Sequence, residues 1–239
     1  MTDESIPRRT FLVGAGIAGT VAATGIDPAP AAAAAPPESA PVPTPTAQPE
    51  AWLTLNPTEA AFVTAAVDTL IPADDLTPSA SACGVAVFID RQLAGAYGSG
   101  ARLYRDGPFL KGKPEQGYQL ALTPRDYFRA GIAATNDWTR RRHGNDFDRL
   151  AEAERELALR EMEQGKAEFS GFSSKDFFEA LLAITMEGFF SDPIYGGNRE
   201  MAAWKMVGYP GLPASYRNDV KTYFNKKYDK PPQSIADFV

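Results

Sequence analysis

Apolar residues recur at helical rather than strand spacing along most of this chain. Phe62, Ala66 and Leu70 fall on one face of a segment that opens at Asn56-Pro57-Thr58-Glu59. There an N-cap, a proline at the first helical position and an acid at the third mark a helix start, and the helix stops near Ile71-Pro72. Val85, Phe88, Ile89 and Leu93 form the stripe of a second helix over 85–97, with Gly98 and Gly100 past its end. Thr123-Pro124-Arg125-Asp126 opens a long third helix that carries Tyr127, Phe128, Ile132 and Trp138 toward Gly144. A fourth, over 153–164, is heavy in Glu and Arg, with Leu157 and Met162 facing inward. The fifth, over 174–190, holds Phe177, Phe178, Leu181, Leu182, Ile184 and Met186 and is apolar nearly all round, as suits the central helix of a core. Alternating β-branched runs are scarce and no internal repeat is present. The pattern therefore predicts an all-α fold, an irregular bundle of five or six helices with long loops after a disordered signal and linker.

The start of the chain follows a different rule. Arg8-Arg9-Thr10-Phe11-Leu12 runs into a weakly apolar Gly/Ala-rich stretch, and the small residues Ala31 to Ala35 offer A-x-A cleavage sites. This reads as a twin-arginine (Tat) export signal over 1–35, with Arg8, Arg9, Phe11 and Leu12 as its recognition core. The expected location is the periplasm. A Pro/Ala-rich linker over 36–51 separates the signal from one folded body over 52–239. The Tat route carries folded proteins, often with a cofactor already inserted, so a passenger without a cofactor site fits the part of an escort. Within the signal, Gly14-Ala15-Gly16-Ile17-Ala18-Gly19 matches the G-x-G-x-x-G fingerprint, but prolines follow where the second strand of a βαβ unit would lie.

Charge narrows the function classes. The 239 residues carry a formal net charge of −6, and the first 35 hold two arginines and three acids, leaving the body near −5. No basic stripe suited to nucleic acid is present. The one run, Arg140-Arg141-Arg142, sits at a helix end where cations complement the dipole, and His143 beside it reads as a cap or a further dipole charge. No later segment is apolar over eighteen residues, so the body spans no membrane of its own. With one histidine and one cysteine, no metal cage of imidazoles or thiolates is expected. Cys83 reads either as a buried small hydrophobe or as an intersubunit thiol bridged to another chain.

Three stretches break the helical pattern. The loop between Ser99 and Leu122 is rich in Gly, Pro and aromatics, and loops of that length in a compact domain are usually covered by a partner or ligand. The segment 188–211 packs Asp192-Pro193-Ile194-Tyr195-Gly196-Gly197-Asn198, then Trp204-Lys205 and Gly208-Tyr209-Pro210-Gly211, into a short space. It is either an irregular loop held for packing or a contact surface. The tail from Tyr216 onward mixes lysines with aromatics and reads as a final helix or as an arm that orders on a partner. Carboxylate pairs such as Asp74 with Asp75 or Glu187 with Asp192 have the chemistry of an acid and a base. A stand-alone binding protein, with Asp and Asn of the glycine loop holding a sugar or a metal, is the alternative of another class.

The Asp192 to Gly211 block, the Leu55 to Glu59 helix start, Leu70-Ile71-Pro72-Ala73-Asp74 and the twin-arginine start together carry a resemblance along the length of the chain. The sequence resembles the small subunit of the membrane-bound, flavin-dependent gluconate 2-dehydrogenase complex, the gluconate 2-dehydrogenase subunit 3 family. The resemblance implies a non-catalytic subunit that escorts a large flavoprotein lacking its own signal through the Tat translocon and stabilises it. FAD would sit in that large subunit and haem c in a cytochrome c subunit, which supplies the membrane association; this chain would hold no cofactor, metal or catalytic residue. The contact surfaces would be Tyr104, Phe109 and Tyr118 of one loop and Asp192, Tyr195, Gly196, Gly197, Asn198 and Trp204 of the other, with core packing the alternative for each aromatic, and for Trp138 and Trp204 above all.

Overall fold

The computed structural model describes residues 51–110, 112–113, 116–212 and 215–238. The export residues Arg8, Arg9, Phe11 and Leu12 and nearly all of the linker lie outside them. Among the described residues there are seven α-helices and no strand: α1 (Pro57–Leu70), α2 (Val85–Ala94), α3 (Pro124–His143), α4 (Glu152–Glu163), α5 (Ser174–Phe190), α6 (Ala202–Val207) and α7 (Asp219–Thr222). The five long ones are those the apolar periodicity predicts. The two short ones lie in the C-terminal third, where no periodicity announces them.

Local chemistry sets the helix ends. Asn56 and Glu59 form a reciprocal capping box: the Asn56 side chain accepts the Glu59 N–H, and the Glu59 carboxylate accepts the Asn56 N–H, each at 2.9 Å. Thr123 caps α3, and Gly144 closes it in the left-handed region at φ 80°, with Arg140, Arg141, Arg142 and His143 in the last turn as the dipole requires. The α2 helix stops at Ala94, three residues before the predicted end at Tyr97. The Arg125 guanidinium donates to the carbonyls of Leu93 and Ala94 at 2.8 and 3.1 Å, taking the place of a further helical turn.

The α5 helix is the hub, packed along α4, α2, α3 and α6. Phe177 stands at the centre, with ring centroids 6.5 Å from Phe62, 6.0 Å from Tyr127, 5.8 Å from Phe128 and 6.4 Å from Phe169. Close approach to α3 depends on Gly131, where an added Cβ would meet the Phe177 ring at 2.2 Å. Trp138 is buried, with the Arg142 guanidinium 5.8 Å from its ring.

The structure turns one expected core residue outward and opens one face of α5. Leu157 is 46% exposed, because the inward stripe of α4 is Ala158, Leu159 and Met162, about one residue's turn of 100° away. On α5, Leu182 and Met186 form an outward pair at i, i+4, since α4, α2 and α3 cover the other faces and leave this one open.

Candidate functional site

The segment after α5 is held by its own side chains. Asp192 caps a single 3-10 turn, Pro193–Tyr195, accepting the Ile194 N–H at 3.0 Å. Asn198 donates through Nδ2 to the Ser191 carbonyl and accepts the Ala203 N–H, both at 2.9 Å, while Trp204 Nε1 donates to the Phe190 carbonyl at 2.8 Å. These bonds close the loop back on the end of α5. The Arg199 N–H then donates to the Cys83 carbonyl at 2.9 Å, pinning the loop to the start of α2.

The glycines are there for contact. A Cβ on Gly197 would lie 2.2 Å from the Gly188 carbonyl oxygen, and one on Gly84, itself at φ 83°, would lie 2.2 Å from the Gly196 carbonyl oxygen. Beyond them Asn198, Glu200 and Met201 adopt positive φ of 44°, 56° and 55°. Three left-handed non-glycine residues in four cost on the order of 1 kcal/mol each, so the surrounding bonds must hold a shape the local chain resists.

Asp192 has a second task. It is 6% exposed, and its carboxylate also accepts the Ser234 hydroxyl at 2.9 Å and the Ile235 N–H at 2.8 Å. Gly211 and Gln233 pair as an isolated parallel bridge beside it. The tail is thus an arm containing the short α7 and strapped to the body at Asp192. It is braced internally by Asp219, which accepts the Tyr228 hydroxyl at 2.8 Å and an ammonium hydrogen of Lys230. That ammonium and the Tyr228 hydroxyl hold the Asp219 carboxyl below the usual range.

The predicted contact residues therefore divide. Asp192, Gly196, Gly197, Asn198 and Trp204 are buried and form the frame. Tyr195, half-exposed, and its neighbour Ile194 are what the frame presents outward. On the other loop Tyr104 is 74% exposed and Phe109 partly so. Tyr118 instead stacks on Tyr127 at 3.9 Å between centroids and donates to the Leu122 carbonyl at 3.3 Å.

Cys83 is 1% exposed, and its Sγ–H donates to the Pro78 carbonyl at 3.6 Å. Burial pushes the thiol up, away from thiolate. Within this chain the sulfur is buried, as a small hydrophobe's side chain is. One member of each carboxylate pair is engaged by the fold: Asp74 accepts the Thr77 and Leu76 N–H groups at 2.8 Å in a tight turn, which lowers its carboxyl, and Asp192 is filled by three donors. Among the described residues, no cluster of His, Cys, Asp and Glu is placed to hold a metal ion. None of the described helices is long and apolar enough to cross a membrane.

Asp90 is a structural position that periodicity passes over. It is 2% exposed, and its carboxylate accepts the N–H groups of Leu53, Thr54 and Leu55 at 2.6, 3.0 and 2.9 Å, fastening the entry of the chain to α2. An acid beside the apolar stripe Val85, Phe88, Ile89 was the one available signal.

The family model described as gluconate 2-dehydrogenase subunit 3 matches residues 57–211. That span runs from the first residue of α1 to the glycine that bridges the arm. No curated protein and no solved structure matches the chain.

Proposed function

The chain belongs to the gluconate 2-dehydrogenase subunit 3 family, and we propose that it is the non-catalytic small subunit of a periplasmic, membrane-associated gluconate 2-dehydrogenase-type complex. In this reading it escorts an FAD-containing large subunit through the Tat translocon and stabilises it, and a cytochrome c subunit takes the electrons. The observation that carries the reading is the strained, internally locked loop 192–204, which spends its buried polar groups on holding Ile194 and Tyr195 outward. Preorganised, half-exposed apolar and aromatic side chains are what a protein interface uses as anchors. Tyr104 and Phe109 of the aromatic loop and the Leu182 and Met186 pair of α5 add exposed apolar area.

The test is co-expression with the proposed flavoprotein partner. Tyr195→Ala with Ile194→Ser should leave the small subunit folded and cut recovery of flavin in its pull-down by about ten-fold or more, as loss of an anchor worth about 2 kcal/mol requires. Arg8→Lys with Arg9→Lys should retain both proteins in the cytoplasm. A flavoprotein that reaches the periplasm without this subunit, or that never co-purifies with it, overturns the proposal.

A further inference from the structure

The arm 215–238 has a composition and an outer face unlike the rest of the molecule. Between Tyr216 and Lys230 five basic residues stand against two acids, a local charge of +3 in a chain of −6. The Val220 N–H donates to the Tyr216 carbonyl and the Tyr223 N–H to the Asp219 carbonyl, so the residues around α7 follow a helical path. Its inner side is Asp219, buried, with Tyr223 against Tyr228 at 4.8 Å. Its outer side is Val220 and Phe224, 67% and 73% exposed, with Tyr216 half-exposed beside them and its ring 6.3 Å from that of Tyr228. Beside that apolar ridge lie Lys221, and past the left-handed Asn225, Lys226 and Lys227, all exposed. Among the described residues no carboxylate pairs with these three lysines.

We propose that this arm is a lipid-contact element: its Val220 and Phe224 tips enter the headgroup boundary of a bilayer while Lys221, Lys226 and Lys227 bind anionic headgroups. Two observations favour a lipid surface over a protein. Lysine is depleted in protein interfaces, whereas an apolar ridge bordered by flexible lysines and tyrosines is the pattern of interfacial membrane contact. The acidic remainder of the chain is repelled by an anionic surface, so the arm is the part that such a surface attracts. The Asp192 strap and the Asp219 brace hold the ridge in place without using any of its exposed side chains. This inference stands apart from the flavoprotein reading, since it concerns this chain alone.

Sedimentation of the full-length chain with vesicles tests it. Binding should be strong on phosphatidylcholine vesicles that contain phosphatidylglycerol, weak on pure phosphatidylcholine, and should fall with added salt. Each basic residue at an anionic surface is worth about five-fold in partitioning. Lys221→Glu with Lys226→Glu and Lys227→Glu should therefore lower binding more than ten-fold, and Val220→Ser with Phe224→Ser should lower it on the same vesicles. Unchanged thermal melting shows that both variants are folded, and the residues before the body are common to all chains, so their own lipid affinity cancels in the comparison. Equal binding to both vesicle types, or variants that bind as the parent does, overturns the inference. So does a charge variant that keeps its vesicle binding while losing co-purification with the flavoprotein, which would make the arm part of a protein interface.

Discussion

At the scale of single residues, the polar groups that matter are acids filled by backbone N–H donors and phenols pressed into the core. Tyr118 is pushed up to about 12, first by burial and then by its nearness to Tyr97 and Asp126; Tyr127 beneath it is raised further by burial. A phenol whose pKa is raised on folding contributes stability that is complete below the unfolded value near 10 and is lost as pH climbs through the folded value. Urea midpoints should accordingly hold steady up to about pH 10 and fall toward pH 12, and Tyr118→Phe should flatten part of that fall. Two phenols that titrate near 10 in the folded protein, followed by phenolate absorbance, would contradict this stacking. The capping residues Asn56 and Thr123 were legible in the sequence because a cap and its donor lie three residues apart. Asp90 was not, since its donors lie 35 to 37 residues away and nothing local distinguishes it from a solvated acid.

Between elements, the fold depends on where helices come close enough to touch backbone. Gly131 on α3 faces the Phe177 ring, and Gly188 on α5 leaves room for Phe88, whose Cδ1 an added Cβ would meet at 2.7 Å. Gly131→Ala should cost about 3 kcal/mol by overpacking and lower the midpoint of thermal unfolding by roughly 6–12 °C in a domain of this size. A shift of a degree or less in calorimetry would mean that Phe177 can move aside, and that the aromatic centre is looser than its ring distances imply. Periodicity found the five long helices because each buries one stripe. It misplaced Leu157, and left the outer face of α5 undefined, because a stripe's edge is set by what packs against it, which one helix's sequence does not carry. The end of α2 escaped notice for a similar reason: Arg125, which caps its carbonyls, belongs to α3.

For the molecule as a whole, the family block and the arm form one assembly. The glycines, Asn198 and Trp204 of that block were recognisable as a unit, yet the pattern of residues did not disclose that Asp192 reaches forward to Ser234 and Ile235. Asp192→Ala should free the arm while leaving the helical core folded. Amide exchange around 233–237 should then rise to the rate of an open segment, with α5 amides unchanged. Protection of the arm that survives this substitution would place its anchorage elsewhere. The same carboxylate links residues 42 and 43 positions apart, across a stretch made after the body during synthesis. Until Ser234 and Ile235 arrive, a buried acid keeps only the Ile194 N–H as a partner, and Gly211 lacks its bridge. Docking of the arm is thereby registered inside the folded body, and an arm that comes away withdraws two of the three donors that hold the family block's first acid.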